Sequence, residues 1–156
     1  MMEKGEKFRI PSFSFKGIDN KEYQFDSIKK RFNLLVFYDV KSPDSGKTIK
    51  CMRTLSEFYP NWFLSVIGIY ENDVDTVKKH LKDTDNRFIN VVDEGSNVAK
   101  AFSLKNVPTL FLIDKSGHIV KSCEGLSEEK INGISREIAE NLSCDPIEIL
   151  LDDISK

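Results

Sequence analysis

A chain of 156 residues suits one compact domain with a short appendage and leaves no room for a two-domain enzyme. Its 23 Lys and Arg against 25 Asp and Glu give a net charge of −2, so no positive field awaits a phosphate backbone and general nucleic-acid binding is excluded. A 40% hydrophobic fraction with 11 Phe can fill a core while 31% charged residues cover a surface, which excludes disorder over the whole chain.

The longest uncharged stretch, residues 58–70, falls short of a membrane span and is broken by Pro60. No apolar run follows the opening Met1-Met2-Glu3-Lys4-Gly5-Glu6-Lys7, so no anchor or signal peptide is read and residues 1–7 are expected to be a disordered or added N-terminus. Alternation over residues 8–15, the turn-like Gly17-Ile18-Asp19-Asn20 and a second run at 23–25 predict a β-hairpin. Residues 26–32 predict one or two helical turns leading into Leu34-Leu35-Val36-Phe37-Tyr38, an unbroken apolar run suited to a strand buried on both faces. After Ser42-Pro43-Asp44-Ser45-Gly46 a helix runs to about Phe58, with Ile49, Met52, Leu55 and Tyr59 at helical spacing. Ser42 is its predicted N-cap, with Pro43 at the first helical position.

A second central strand is read over 63–70, a helix over 73–81 and a shorter strand over 88–92. Ser96 is the predicted cap of a short helix carrying Val98, Ala101 and Phe102. Val107-Pro108 leads into a strand over 109–113, and Asp114-Lys115-Ser116-Gly117 turns it back as a hairpin into 118–121. Ser127, with Glu128 and Glu129 in the first turn, opens a closing helix that places Ile131, Ile134, Ile138 and Leu142 on one face. Asp145-Pro146 then caps a further short helix over 147–154. This order calls for an α/β three-layer sandwich, a mixed central sheet with helices on both faces and an N-terminal β-hairpin. Residues 8–142 form the domain and residues 143–156 a C-terminal helical extension.

Three places in this order carry a resemblance when read together. The run from Leu34 to Lys47 resembles the strand, loop and helix start of thioredoxin-like thiol-disulfide oxidoreductases of the TlpA/ResA type, in the redoxin superfamily. In that family a Cys-x-x-Cys opens the helix; here both positions are serine, as Ser42-Pro43-Asp44-Ser45. Val107-Pro108-Thr109, followed by the strand, Ser116-Gly117 and Gly125, resembles the family's cis-proline loop and final hairpin. The hairpin around Gly17 resembles the one that extracytoplasmic members carry ahead of the core. The resemblance covers residues 8–142 and implies a thioredoxin-like fold.

By position, the resemblance implies that Ser42 holds the place of the nucleophilic cysteine and Ser45 that of the resolving one. It also implies that Pro43, Asp44, Val107, Pro108 and Thr109 face substrate, with a cis bond before Pro108, and that Asp39 could exchange protons with a sulfur pair. Asp39 reads equally well as a loop cap. Lys41 stands where relatives usually carry tryptophan, which makes this docking surface less apolar. The implied partners are protein thiols or disulfides and a redox partner protein, with the chain acting as a monomer. The compartment is periplasmic if a leader was removed and cytoplasmic otherwise.

Chemistry explains why that family needs cysteine there. A thiolate is the nucleophile of disulfide exchange, and the N–H groups of a helix start lower its pKa from about 8.5 into the range of about 3.5 to 7.5. A second thiol two residues on resolves the mixed disulfide. A serine hydroxyl does neither, so the site as written cannot cycle electrons. Two readings stand: an oxidoreductase whose cysteine pair has been replaced by its one-atom isostere, and a natural noncatalytic module that holds an extended peptide near Pro108.

The other candidates are weaker. Cys51, Cys123 and Cys144 are too scattered for a disulfide framework or a zinc site, and with His80 and His118 the only imidazoles no metal or other cofactor is expected. A peroxidase motif would need Pro-x-x-x-Thr-x-x-Cys, but Pro43 lies one residue too far from Thr48-Ile49-Lys50-Cys51. The three thiols are therefore expected to be inert and unpaired, Cys144 being the most exposed. Ser45-Gly46-Lys47-Thr48 mimics the end of a phosphate-binding loop, but Lys41 replaces its first glycine and Pro43 removes an N–H donor.

Overall fold

The computed structural model describes residues 14–24, 31–81 and 88–151. At its centre β3 (Phe32–Tyr38) and β4 (Leu64–Tyr70) run parallel, with every residue of both buried. They read as unbroken apolar runs because alternate side chains feed two cores. On one face Leu34, Val36, Tyr38, Leu64, Val66 and Tyr70 pack with residues of three helices, α1 (Ser45–Phe58), α2 (Val74–His80) and α4 (Glu128–Leu142). On the other, Leu35, Phe37, Ile67 and Ile69 pack with Val98, Ala99 and Phe102 of the α3 (Asn97–Ala101) region.

Outward from this pair, β5 (Ile89–Val92) lies parallel to β4, while β6 (Thr109–Asp114) lies antiparallel to β3 and is followed by antiparallel β7 (Ile119–Glu124). The hairpin of β1 (Ser14–Gly17) and β2 (Glu22–Gln24) joins the far edge through β5, giving the order β2-β1-β5-β4-β3-β6-β7. The mixed sheet, the helices on both faces and the N-terminal hairpin match the architecture read from the sequence. Helix α1 crosses β4 closely at Gly68, where a Cβ would stand 3.0 Å from both Met52 Cε and Tyr70 Cε1. No helix among the described residues is long and apolar enough to cross a membrane.

Four expectations about local structure need correction or fall outside the described residues. Ser42 is not the cap of α1: its carbonyl accepts the Ser45 N–H at 3.0 Å, closing a separate turn, so the helix starts at Ser45 with Asp44 as N-cap and Pro43 inside the turn. Ser96 does not cap α3 by its side chain either. Gly95 and Ser96 both take left-handed backbone (φ 73° and 55°), which brings the Asp93 carboxylate round to the Val98 and Ala99 N–H groups at 3.1 and 3.0 Å. By contrast, Ser127 caps α4 as read, accepting the Lys130 N–H.

The third correction concerns residues 147–150, which are extended rather than helical because side chains of α4, with Tyr59 just past the end of α1, hold their backbone groups at alternate positions. Lastly, the expected helical turns lie mostly at 25–30, outside the described residues, as do 1–13 and 152–156.

Candidate functional site

Strand register brings together the two loops that the sequence singles out. Thr109 pairs with Phe37, so Pro108 stands level with Tyr38, the last residue of β3, from which the 39–44 loop departs. Both loops therefore project from one end of adjacent strands, the usual place for a site in an α/β sheet.

The 39–44 loop is braced from its base. Asp39 Oδ1 accepts the Lys41 N–H at 2.9 Å and the Asn72 Nδ2–H at 3.1 Å, while Asn72 Oδ1 accepts the Val40 N–H at 3.1 Å. The Asp39 carbonyl takes the Ser42 N–H at 2.9 Å. Asp39 thus acts here as a loop brace. Asn72 was not read from the sequence, because its partners lie more than 30 residues away and no local motif marks it.

Within this frame Ser42 is half-buried, Pro43 and Asp44 are exposed, and Ser45 is 9% exposed as the first residue of α1. The Asp44 N–H donates to Ser42 Oγ at a long 3.4 Å, so an amide is aimed at the side chain of residue 42. The Ser42 and Ser45 amides are already engaged by the Asp39 and Ser42 carbonyls, which leaves little of the free N–H cradle a phosphate would need.

The opposing loop is fixed from behind. The Val107–Pro108 peptide bond is cis. Pro108 is buried and its carbonyl accepts the Gly125 N–H at 2.8 Å, with Gly125 in left-handed backbone at φ 78°. Thr109 Oγ1 donates to the Asn106 carbonyl at 2.6 Å, and Asn106 Nδ2 donates to Glu124 at 2.8 Å. No hydrogen bond among the described residues engages the Val107 backbone.

No thiol lies within the two loops themselves. Cys51 is 1% exposed inside α1, and burial, helped by the neighbouring Cys123, pushes its pKa up to about 12. Burial likewise raises Cys123, whose Sγ donates to the Gly125 carbonyl at 3.1 Å. Cys144 is exposed just beyond α4, at the other end of the sheet, since Arg31 before β3 donates to Asn141 in the last turn of α4 at 3.0 Å. All three are free. Iodoacetamide should therefore add one group to the folded protein, at Cys144, and reach Cys51 and Cys123 only in denaturant; mass spectrometry of the intact chain reads this directly.

Neither histidine joins the site. His80 packs with its ring 6.5 Å from that of Tyr38, and burial lowers its pKa. His118 lies 3.8 Å from Asp114 beyond the far end of β6. The described residues contain no cluster of three potential metal ligands.

The AhpC/TSA family model matches residues 7–122. A thiol-disulfide oxidoreductase ResA of Bacillus thuringiensis subsp. konkukian is 26% identical over 127 residues, which cover 78% of this chain and 73% of the relative. A Chlorobium tepidum structure assigned as a thiol:disulfide interchange protein DsbE superposes with TM-score 0.80 at 16% identity, over 90% of this chain and 99% of that one. A thiol-disulfide oxidoreductase from Bacteroides fragilis gives TM-score 0.73 at 20% identity, over 84% and 99%.

Proposed function

Since this chain belongs to the AhpC/TSA family and has the thioredoxin-like fold of solved thiol-disulfide oxidoreductases, we propose that it docks protein thiols and disulfides between its 39–45 and 106–109 loops but transfers no electrons. The observation that carries this reading is that Ser42 and Ser45 follow the strand end that lies level with Pro108, while neither the 39–45 nor the 106–109 segment contains a thiol. Ser42 takes the position of the attacking residue, half-exposed and facing an amide; Ser45 takes that of the resolving residue, recessed at the helix start. Pro43 and Asp44 form the exposed rim, and Val107, Pro108 and Thr109 the opposite wall. In a cysteine-bearing form Asp39 is the carboxylate available for proton exchange, and a redox partner protein sets the direction of electron flow. The chain acts as a monomer.

A peroxidase role does not fit, because Cys51 is buried and its raised pKa leaves almost no thiolate at neutral pH. A second reading, a noncatalytic peptide-binding module, draws support from the unengaged Val107 backbone, which an extended segment could pair with. The first test is insulin reduction by dithiothreitol in the presence of the protein. The rate should equal that without protein; turnover above that background would contradict the assignment of inactivity to the two serines.

A further inference from the structure

A side-chain amide offers a hydrogen-bond donor and an acceptor side by side, and Asn72 commits both to the loop that carries Ser42. Its Nδ2 donates to Asp39 Oδ1 at 3.1 Å and its Oδ1 accepts the Val40 N–H at 3.1 Å. The partners dictate this orientation, because a backbone N–H can only donate and an ionised carboxylate can only accept. Asp39 Oδ1 also accepts the Lys41 N–H, and the Asp39 carbonyl accepts the Ser42 N–H, both at 2.9 Å. The amides of residues 40, 41 and 42 are therefore held one after another by Asp39 and Asn72. With both donors on Oδ1, the second carboxylate oxygen of Asp39 lies outside this network.

Asn72 is itself fixed on both sides. Two residues before it, the carbonyl of Tyr70 at the end of β4 accepts the Asp93 N–H at 2.8 Å. One residue after it, Asp73 caps α2, accepting the Thr76 N–H at 2.8 Å. Tyr70 is level with Tyr38 on one side of β3, and Pro108 is level with it on the other. The loop leaving β3 is thus held from the β4 side, while the wall it faces belongs to β6. A shift of even about 1 Å in an attacking group costs rate steeply, so a brace at this place governs how residue 42 meets a partner.

We propose that Asn72 is a positioning residue of the docking site, holding the 39–42 loop from the β4 side so that residue 42 faces Pro108. The inference rests on the reading of the 39–45 and 106–109 loops as that site, and it identifies what sets their alignment. Asn72 acts through Asp39 and Val40. Leucine at position 72 offers neither hydrogen bond. Ionised aspartate offers only acceptors and sets a second carboxylate against Asp39, but protonated aspartate restores both bonds, its O–H donating to Asp39 and its carbonyl accepting the Val40 N–H.

The test uses the full chain carrying Ser42→Cys. The rate of mixed-disulfide formation at position 42 is measured with an unfolded disulfide-bonded protein and with 2-hydroxyethyl disulfide, a small neutral disulfide that needs no docking. The ratio of the two rates cancels the thiolate fraction. Adding Asn72→Leu should lower this ratio about tenfold at every pH. Adding Asn72→Asp should lower it about tenfold at pH 7 and bring it back to within about twofold of the Ser42→Cys chain near pH 5, because two carboxylates sharing one site hold a proton above the ordinary range. Asp73, whose carboxyl the Thr76 N–H holds below its ordinary value and which also faces Lys79 and Lys41, stays ionised there. Titration of His80, Glu71 or Asp44 is common to both chains and cancels. A ratio unchanged by Asn72→Leu or by Asn72→Asp at pH 7 would overturn the proposal. So would a loss in Asn72→Asp that acid does not restore, which marks residue 72 as packing alone; this arm decides by itself if the leucine variant does not fold. A Ser42→Cys chain that shows no preference for the protein disulfide would instead defeat the docking site itself, and the inference with it.

Discussion

Replacing Ser42 and Ser45 together by cysteine should give a protein that catalyses the reduction of insulin disulfides by dithiothreitol. The backbone needed is present: residue 42 is half-exposed, the Asp44 N–H points at its side chain from 3.4 Å, and α1 begins three residues later. A thiol placed there meets the positive end of the helix, which favours its thiolate. That thiolate attacks one sulfur of the substrate disulfide, forming a mixed disulfide and releasing the other sulfur as a thiolate. The thiol at position 45, only 9% exposed, then attacks the mixed disulfide, closes an internal disulfide and releases the second substrate thiolate. Dithiothreitol returns the two electrons and the cycle repeats. A drop in thiol pKa from about 8.5 to near 7 raises the thiolate fraction at neutral pH by roughly tenfold, and since each thiolate is then a weaker nucleophile, attack should be faster than for an ordinary exposed thiol by about a few-fold. Ser45→Cys alone should remain inactive, because its thiol is recessed. A double variant that folds yet neither forms the internal bond nor exchanges with dithiols would make the noncatalytic peptide module the better account.

The largest expected loss of stability away from the core isoleucines and leucines is at Asp93. Its carboxylate is 3% exposed and accepts two amides of α3, at 3.1 and 3.0 Å. Asp93→Ala leaves both N–H groups buried without acceptors, at a cost of about 2–3 kcal/mol for two charge-assisted bonds. Ser96→Ala should change stability by no more than about 0.5 kcal/mol, since that side chain makes no capping bond. Urea unfolding of the two variants side by side tells the caps apart. Comparable losses, or a larger one for Ser96→Ala, would return the cap to serine.

The contrast between Asp93 and Ser96 also shows what can be read from the sequence. Long apolar runs such as 34–38 announce strands buried on both faces, and the spacing of Ile131, Ile134 and Ile138 announces a helix face, because those periods are set by local geometry alone. The serine pair and Pro108 stand out in the sequence through the resemblance of their surroundings to thioredoxin-like proteins, not through any period of their own. Caps depend on finer geometry. Ser96 has the right chemistry one residue before α3, but left-handed backbone at 95 and 96 hands the task to a carboxylate further back. Ser42 fails as a cap for a related reason, a turn closed by its own carbonyl.

Long-range partners leave still less trace. The Asp39–Asn72 brace joins the ends of two neighbouring strands, and neither residue forms a recognisable motif with the other. In the tail, Ile147, Leu151 and Ile154 suggest a helical period while Ile147, Ile149 and Leu151 suggest an extended one. Local propensity does not choose between them. Asn132, Ser135 and Tyr59 do, by offering partners that only an extended backbone can meet in this register.

The most direct test of the docking pole uses Ser42→Cys with the rest of the chain intact, so that the native Cys144 serves as an internal control. The variant is incubated with an unfolded protein held together by disulfides, quenched with acid, and the mixed disulfides are mapped by mass spectrometry. Without a resolving thiol at 45 the adduct should persist, and it should form predominantly at position 42 and not at the exposed Cys144. Adducts confined to Cys144, or shared between the two thiols in proportion to their exposure, would show that the 39–45 and 106–109 loops have no special affinity for a disulfide-bearing partner and would contradict the proposed site.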